Sequence, residues 1–66
     1  MRVIKNPAYF LKIQEKRITS PVASVRKDAL QKLIEFSCGT EQINPYDLYP
    51  VNLVNKGRVL VAQHYK

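Results

Sequence analysis

The chain has no internal cross-link with which to hold a small fold together. Cys38 is the only cysteine and His64 the only histidine in 66 residues, so an intramolecular disulfide is excluded and a zinc site is disfavoured. A chain this short buries only about 60% of the surface that its unfolded form exposes, which barely offsets the loss of conformational entropy on folding. Its stability must come from close packing of its own elements or from association with another chain.

Three pairs of a short polar residue and a proline are typical of helix starts: Asn6-Pro7, Ser20-Pro21 and Asn44-Pro45. In each pair the polar side chain can accept a backbone N–H of the first turn, and proline follows where its missing N–H costs nothing. The same pairs can also open turns. Taken together, they predict three helices.

The second predicted helix, residues 21–37, has the clearest amphipathic pattern. At about 100° per residue, Arg26 lies inside its apolar stripe, where it must extend along the surface, pair with a carboxylate or reach a partner. Gly39 is suited to the left-handed residue that ends such a helix. The stripe expected to face the core consists of Val22, Val25, Ala29, Leu30, Leu33, Ile34 and Phe36.

The first and third predicted helices are less regular. Residues 9, 11 and 13 alternate with polar residues as in a strand, but the start at Asn6-Pro7 favours a helix. Pro50 cannot continue a helical hydrogen-bond ladder, so we expect it to kink or restart the third helix. Residues 55–57, Asn-Lys-Gly, are predicted to end that helix.

Residues 58–65 alternate apolar side chains as a β-strand does. A strand needs a partner, and residues 1–5 are the only other strand-like segment. The predicted fold is therefore a single α+β domain, residues 1–66, that is mostly helical, with three short helices and a minimal two-stranded ribbon formed by the N- and C-terminal segments. Such a ribbon still leaves an unpaired strand edge, so we expect a homodimer with the C-terminal strand in its interface. The interface residues predicted from this tail are Val59, Val61 and Tyr65.

Residues 20–33, Ser-Pro-Val-Ala-Ser-Val-Arg-Lys-Asp-Ala-Leu-Gln-Lys-Leu, resemble one helix of a HEAT repeat, in which a Val-Arg pair precedes a small residue and spaced leucines. Repeats of that family stack several units. The chain holds no second copy of the pattern, so the resemblance implies no residue roles.

Basic residues are concentrated towards both ends of the chain, and the net charge is +6. Residues 1–27 contain seven basic residues and one acidic residue. Residues 28–55 contain one basic and four acidic residues, and residues 56–66 contain three basic residues and no acidic residue. If the ends come together, they form one positive surface that attracts nucleic acid or an acidic protein; otherwise the charges only keep the surface solvated. The predicted nucleic-acid-binding residues are Lys12, Lys16, Arg17, Arg26, Lys27, Lys56 and Arg58.

We therefore expect a small basic nucleic-acid-binding protein, of the kind that phages and accessory genetic elements encode as regulators. The alternative is a small protein-binding subunit or inhibitor that docks on a larger acidic protein. Tyrosines among basic residues suit both functions, because they stack on bases or anchor a protein interface. In a chain without tryptophan they also commonly fill the rim of the core.

The sequence lacks the residues of familiar catalytic and cofactor sites. Gly39 and Gly57 are the only glycines, so there is no glycine-rich phosphate loop. Cys38 with His64 is one conceivable nucleophile and base, but a buried structural cysteine is favoured. We expect no enzyme, no cofactor and no bound metal. No apolar run has the length of a membrane span and no secretory signal opens the chain, so the sequence predicts a cytoplasmic protein, with a mitochondrial presequence as the alternative.

Overall fold

The computed structural model describes residues 3–65, and over that range the chain is helical, without a sheet. Its helices are α1 (Pro7–Arg17), α2 (Ala23–Cys38), the single-turn α3 (Pro45–Leu48) and α4 (Val51–His64). The one β-type pairing in this part of the chain is an isolated bridge between Thr40 and Ile43. None of the helices in this part of the chain has both the length and the apolar character to cross a membrane.

Two of the three predicted helix starts are confirmed. The Oδ1 atom of Asn6 accepts a hydrogen bond from the Tyr9 N–H at 3.2 Å, and that of Asn44 accepts one from the Tyr46 N–H at 3.0 Å. The Ser20-Pro21 pair instead forms a turn, in which the Ser20 hydroxyl accepts from the N–H of Val22. Helix α2 therefore begins two residues later than predicted, and Val22 is exposed rather than in the core.

The end of α2 is as predicted. Gly39 has φ of +70°, a backbone conformation that residues with a Cβ rarely adopt. Its N–H donates to the carbonyl oxygen of Glu35. A Cβ at this position would also lie 2.7 Å from Cδ of Pro45, so both the backbone and the space require glycine.

One apolar core joins α1, α2 and α4. Leu33 and Phe36 of α2 are buried there as predicted, and the Phe36 ring lies 5.4 Å from that of Phe10 and 4.6 Å from that of Tyr49. The Tyr49 hydroxyl accepts a hydrogen bond from the Ile4 N–H at 3.0 Å, which holds the N-terminal segment against the core. The buried members of the cluster are Leu11, Leu33, Phe36, Tyr49, Val54 and Leu60.

The predicted α+β fold is wrong, because residues 58–64 continue a helix that Tyr65 caps, instead of forming a strand. Gly57, expected to end the third helix, lies in the middle of α4, where a Cβ would be 3.1 Å from Cβ of Ser37 and 3.3 Å from the Phe36 ring. The absence of a side chain lets α4 approach α2 closely. Val54, Gly57 and Leu60 then recur at helical spacing on the buried side of α4.

Within residues 3–65, the N-terminal segment and the C-terminal segment do not pair as a ribbon. Ile4 lies beside Tyr49, at the start of α4, and α4 then extends for 14 residues, which is about 21 Å at 1.5 Å per residue. The C-terminal residues therefore lie at the far end of the bundle. Residues 3–5 are not in a strand, and residues 1–2 of the predicted N-terminal strand lie outside the described residues.

Candidate nucleic-acid interface

The three arginines among the predicted binding residues all bond to groups of the protein itself. The Nη2 atom of Arg17 lies 2.7 Å from Oδ2 of Asp28, and its Nη1 donates to Oε1 of the buried Gln14 at 2.9 Å. This pair ties α1 to α2. Arg26 donates from Nη1 to the carbonyl oxygen of Ser20 at 2.6 Å, so it braces the turn before α2 and does not pair with a carboxylate.

Arg58 joins α4 to the end of α2. Its Nε donates to the carbonyl oxygen of Ser37 at 3.1 Å, and its guanidinium carbon lies 5.3 Å from the centre of the Tyr46 ring, a cation–π distance. The Tyr46 hydroxyl in turn donates to Oδ1 of Asn55 at 2.7 Å. Through these contacts Arg58 links α4 to α2 and α3.

The four lysines among the predicted binding residues, unlike the arginines, are exposed without a side-chain hydrogen bond or ion pair within residues 3–65. Lys12 and Lys16 lie on the outer side of α1, opposite the buried Leu11 and Gln14. Within residues 3–65 the ion pairs are those of Asp28 with Arg17 and Lys32, so neither Lys12 nor Lys16 has an acidic partner there.

Tyr9 lies on the same side of α1, with 60% of its surface exposed. Because Tyr9, Lys12 and Lys16 are three and seven residues apart, they fall within about 60° of one another around the helix. We call these three residues the α1 face. Lys5, also exposed, immediately precedes the helix.

Helical geometry separates the two other predicted lysines. Lys56 is rotated by about 160° from Arg58 on α4, so these two basic side chains lie on different sides of that helix. On α2, Asp28 faces α1, where it pairs with Arg17. Lys27 is rotated by about 160° from the buried Ala29, so it lies on the outer side of α2. It is therefore on a different helix from the α1 face.

Two of the residues predicted for a dimer interface, Val59 and Val61, lie on α4, and Tyr65 directly follows that helix. Val59 and Tyr65 are exposed, whereas Val61 is half-buried and packs against the core. Since this segment is a helix and its cap, the strand pairing proposed for it does not occur. Cys38, expected to be buried, is exposed. No three His, Cys, Asp or Glu side chains between residues 3 and 65 are grouped so as to hold a metal ion.

The Arg17–Asp28 pair predicts an acid-dependent loss of stability. The hydrogen bond from Arg17 lowers the pKa of Asp28, nearby Lys32 adds to this, and partial desolvation opposes it. The contribution of Asp28 is therefore complete above about pH 4, the ordinary aspartate value, and is lost as the pH falls through the lowered pKa of the folded state.

Urea unfolding midpoints at about pH 6 and pH 3 measure this effect. The Asp28→Asn variant should lose less stability between the two pH values than the parent protein. Asp47→Asn, which removes a carboxylate outside the pair, is the matched control and should behave like the parent. Because the pair is exposed, we expect a small effect, and an identical pH response in Asp28→Asn would contradict the assignment.

Comparison with protein-family models, curated proteins and solved structures finds no match to this chain. The resemblance of residues 20–33 to a HEAT-repeat helix thus has no support from a family match. Function must be inferred from the charges, contacts and exposed side chains of the chain itself.

Sequence reasoning did not assign Tyr9 or Lys5 to the candidate site. A tyrosine in a small domain commonly lies at the rim of the core, so its residue type alone does not assign it to a site. In a helix over residues 7–17, however, the spacing of Tyr9 from Lys12 and Lys16 places all three side chains on one side.

Proposed function

We propose that this protein is a small cytoplasmic nucleic-acid-binding protein, with no catalytic role, and that it binds through the α1 face. The observation that carries the proposal is the position of Lys12 and Lys16 on the outer side of α1, exposed and without an acidic partner among residues 3–65. Lysines in this state can neutralise phosphates and so release the counterions condensed on the nucleic acid, which is the main source of sequence-independent affinity.

The proposed site is smaller than the set of basic residues chosen from the sequence. Lys56 is exposed on α4, a different helix from the one that carries the α1 face, and is not part of the proposed site. Arg17, Arg26 and Arg58 support the fold through the hydrogen bonds described above. Lys27 carries the same charge as Lys12 and Lys16 but is exposed on α2 instead of α1.

Single lysine substitutions test this placement. Lys12→Ala and Lys16→Ala should each weaken binding to all nucleic-acid sequences about equally and lower the slope of log affinity against log salt by roughly 0.7 to 0.9, the loss of one phosphate contact. Fluorescence anisotropy across a salt series measures both quantities. Lys27→Ala removes the same charge and is the matched control.

The control decides between a local site and diffuse attraction. A weakening by Lys27→Ala as large as that of Lys16→Ala would show that only net charge matters, and would remove the α1 face as the site. Absence of binding at low salt would remove the nucleic-acid proposal altogether.

A protein partner is the second candidate, favoured by apolar residues on the outer side of α3 and α4. Leu48, Val51 and Val59 are exposed there, and Val51 and Val59 fall within about 80° of each other around α4. Exposed apolar side chains on one side of a helix are the kind of residue that a protein partner can cover. Val59→Asp should abolish association with such a partner, but leave nucleic-acid affinity through the α1 face largely unchanged.

A further inference from the structure

Arg17, Arg26 and Arg58 make hydrogen bonds within the protein, and this limits what the α1 face can recognise. Arginine is the side chain that most often reads guanine in a duplex groove, through two parallel hydrogen bonds. Among residues 3–65, Arg17, Arg26 and Arg58 each donate to oxygen atoms of the protein. The free cations of the α1 face are lysines, which contact phosphate as point charges and carry no planar fork. This surface is therefore suited to the backbone of a nucleic acid rather than to its sequence.

Tyr9 adds a second, independent feature to the same surface. Tyr9 is the aromatic residue of the α1 face, and 60% of its surface is accessible. It lies about one helical turn from Lys12 and two turns from Lys16. An exposed ring beside cations is the arrangement on which unpaired bases stack. Within a duplex the faces of the bases are covered by their neighbours, so such a ring finds no stacking partner there.

We infer that the α1 face binds single-stranded nucleic acid without sequence preference, with an unpaired base stacked on Tyr9 and the adjacent phosphates contacted by Lys12 and Lys16. The inference rests on the proposed function and specifies its ligand. Deoxyribose and ribose strands share the chemistry that this surface recognises, namely a base face and a phosphate.

Anisotropy titrations with labelled oligonucleotides of about 12 nucleotides, within the usual site-size range, test the inference. The ligands are oligo-dT, oligo-U, a mixed-sequence DNA strand and the duplex of that strand. The parent protein should bind the single strands more tightly than the duplex at equal salt, with little difference between oligo-dT and the mixed sequence. The ratio of oligo-dT to oligo-U affinity distinguishes a DNA ligand from an RNA ligand.

Substitutions at Tyr9 separate stacking from charge. Tyr9→Ala should lower single-strand affinity by about 5- to 100-fold and leave duplex affinity unchanged, whereas Tyr9→Phe should retain the parent affinity because the ring remains. Tyr65→Ala, at another exposed tyrosine, is the matched control and should bind like the parent. Circular dichroism checks that each variant is still helical.

The outcomes for the two proposals differ. Duplex binding as tight as single-strand binding, or an unchanged single-strand affinity in Tyr9→Ala, would overturn this inference and leave nucleic-acid binding in place. A failure of the parent protein to bind any of the four oligonucleotides at low salt would overturn both.

Discussion

Replacement of Leu33 by alanine is expected to lower the free energy of unfolding by about 2 to 5 kcal/mol. Leu33 has none of its surface exposed and lies among the core residues of all three long helices. Its truncation removes buried apolar surface and leaves a cavity that the surrounding helices fill only in part. A chain of this length has a total stability of roughly 3 to 10 kcal/mol, so much of the fold's stability depends on this one side chain.

Thermal unfolding followed by circular dichroism measures the effect. In a domain of this size each kcal/mol corresponds to a shift in Tm of about 4 to 8 °C, so Leu33→Ala should melt at least about 10 °C below the parent. Leu48→Ala is the matched control: it makes the same change at a leucine with 40% of its surface exposed, where we expect a loss below about 1 kcal/mol. Similar Tm values for the two variants would show that Leu33 is not in the core.

Gly57→Leu is expected to destabilise the protein although it improves the helix propensity of α4. Leucine in place of glycine in a helix interior gains about 0.8 kcal/mol from propensity. At Gly57, however, even a Cβ would lie 3.1 Å from Cβ of Ser37 and 3.5 Å from Cδ2 of Leu11. The remaining three carbons of the leucine side chain would have to separate α4 from α2, and overpacking of this kind costs about 1 to 3 kcal/mol or more. We expect a net loss of about 2 kcal/mol.

A second position on the same helix isolates the propensity term. Asn52 is exposed on α4, so Asn52→Leu gains propensity without entering the core and should leave stability unchanged or slightly raised. Urea unfolding gives both free energies. If Gly57→Leu were as stable as the parent, α4 could not pack against α2 as closely as described, and the helical assignment of residues 58–65 would lose its main support.

Features that depend on neighbouring residues could be predicted from the sequence. Asn6 and Asn44 cap helices whose first N–H groups lie within three residues of them. The stripe through Leu33 and Phe36 follows from helical periodicity. Gly39 ends α2 because its own backbone has a positive φ. In each case the decisive interaction lies within about one turn of the residue, where sequence patterns are most reliable.

The candidate site was predictable only in part. Charge identified Lys12 and Lys16, but the same criterion selected Arg17, whose partner Asp28 is 11 positions away, and Arg58, whose partner Ser37 is 21 positions away. Whether a cation is free depends on which side chains the fold brings to it. The local sequence does not show that Arg17 and Arg58 each donate hydrogen bonds to distant residues of the protein.

By itself, the sequence determined that helices begin at Asn6-Pro7 and Asn44-Pro45, that an apolar stripe lies on α2, and that the positive charge is unevenly distributed. Only the tertiary structure decided the state of residues 58–65, because alternating valines and a preceding glycine satisfy the local pattern of a strand as well as that of a helix. The helix is favoured once α2 and α1 are present to cover Val54, Gly57 and Leu60. Burial against distant elements, not local propensity, fixes the conformation of such an ambiguous segment.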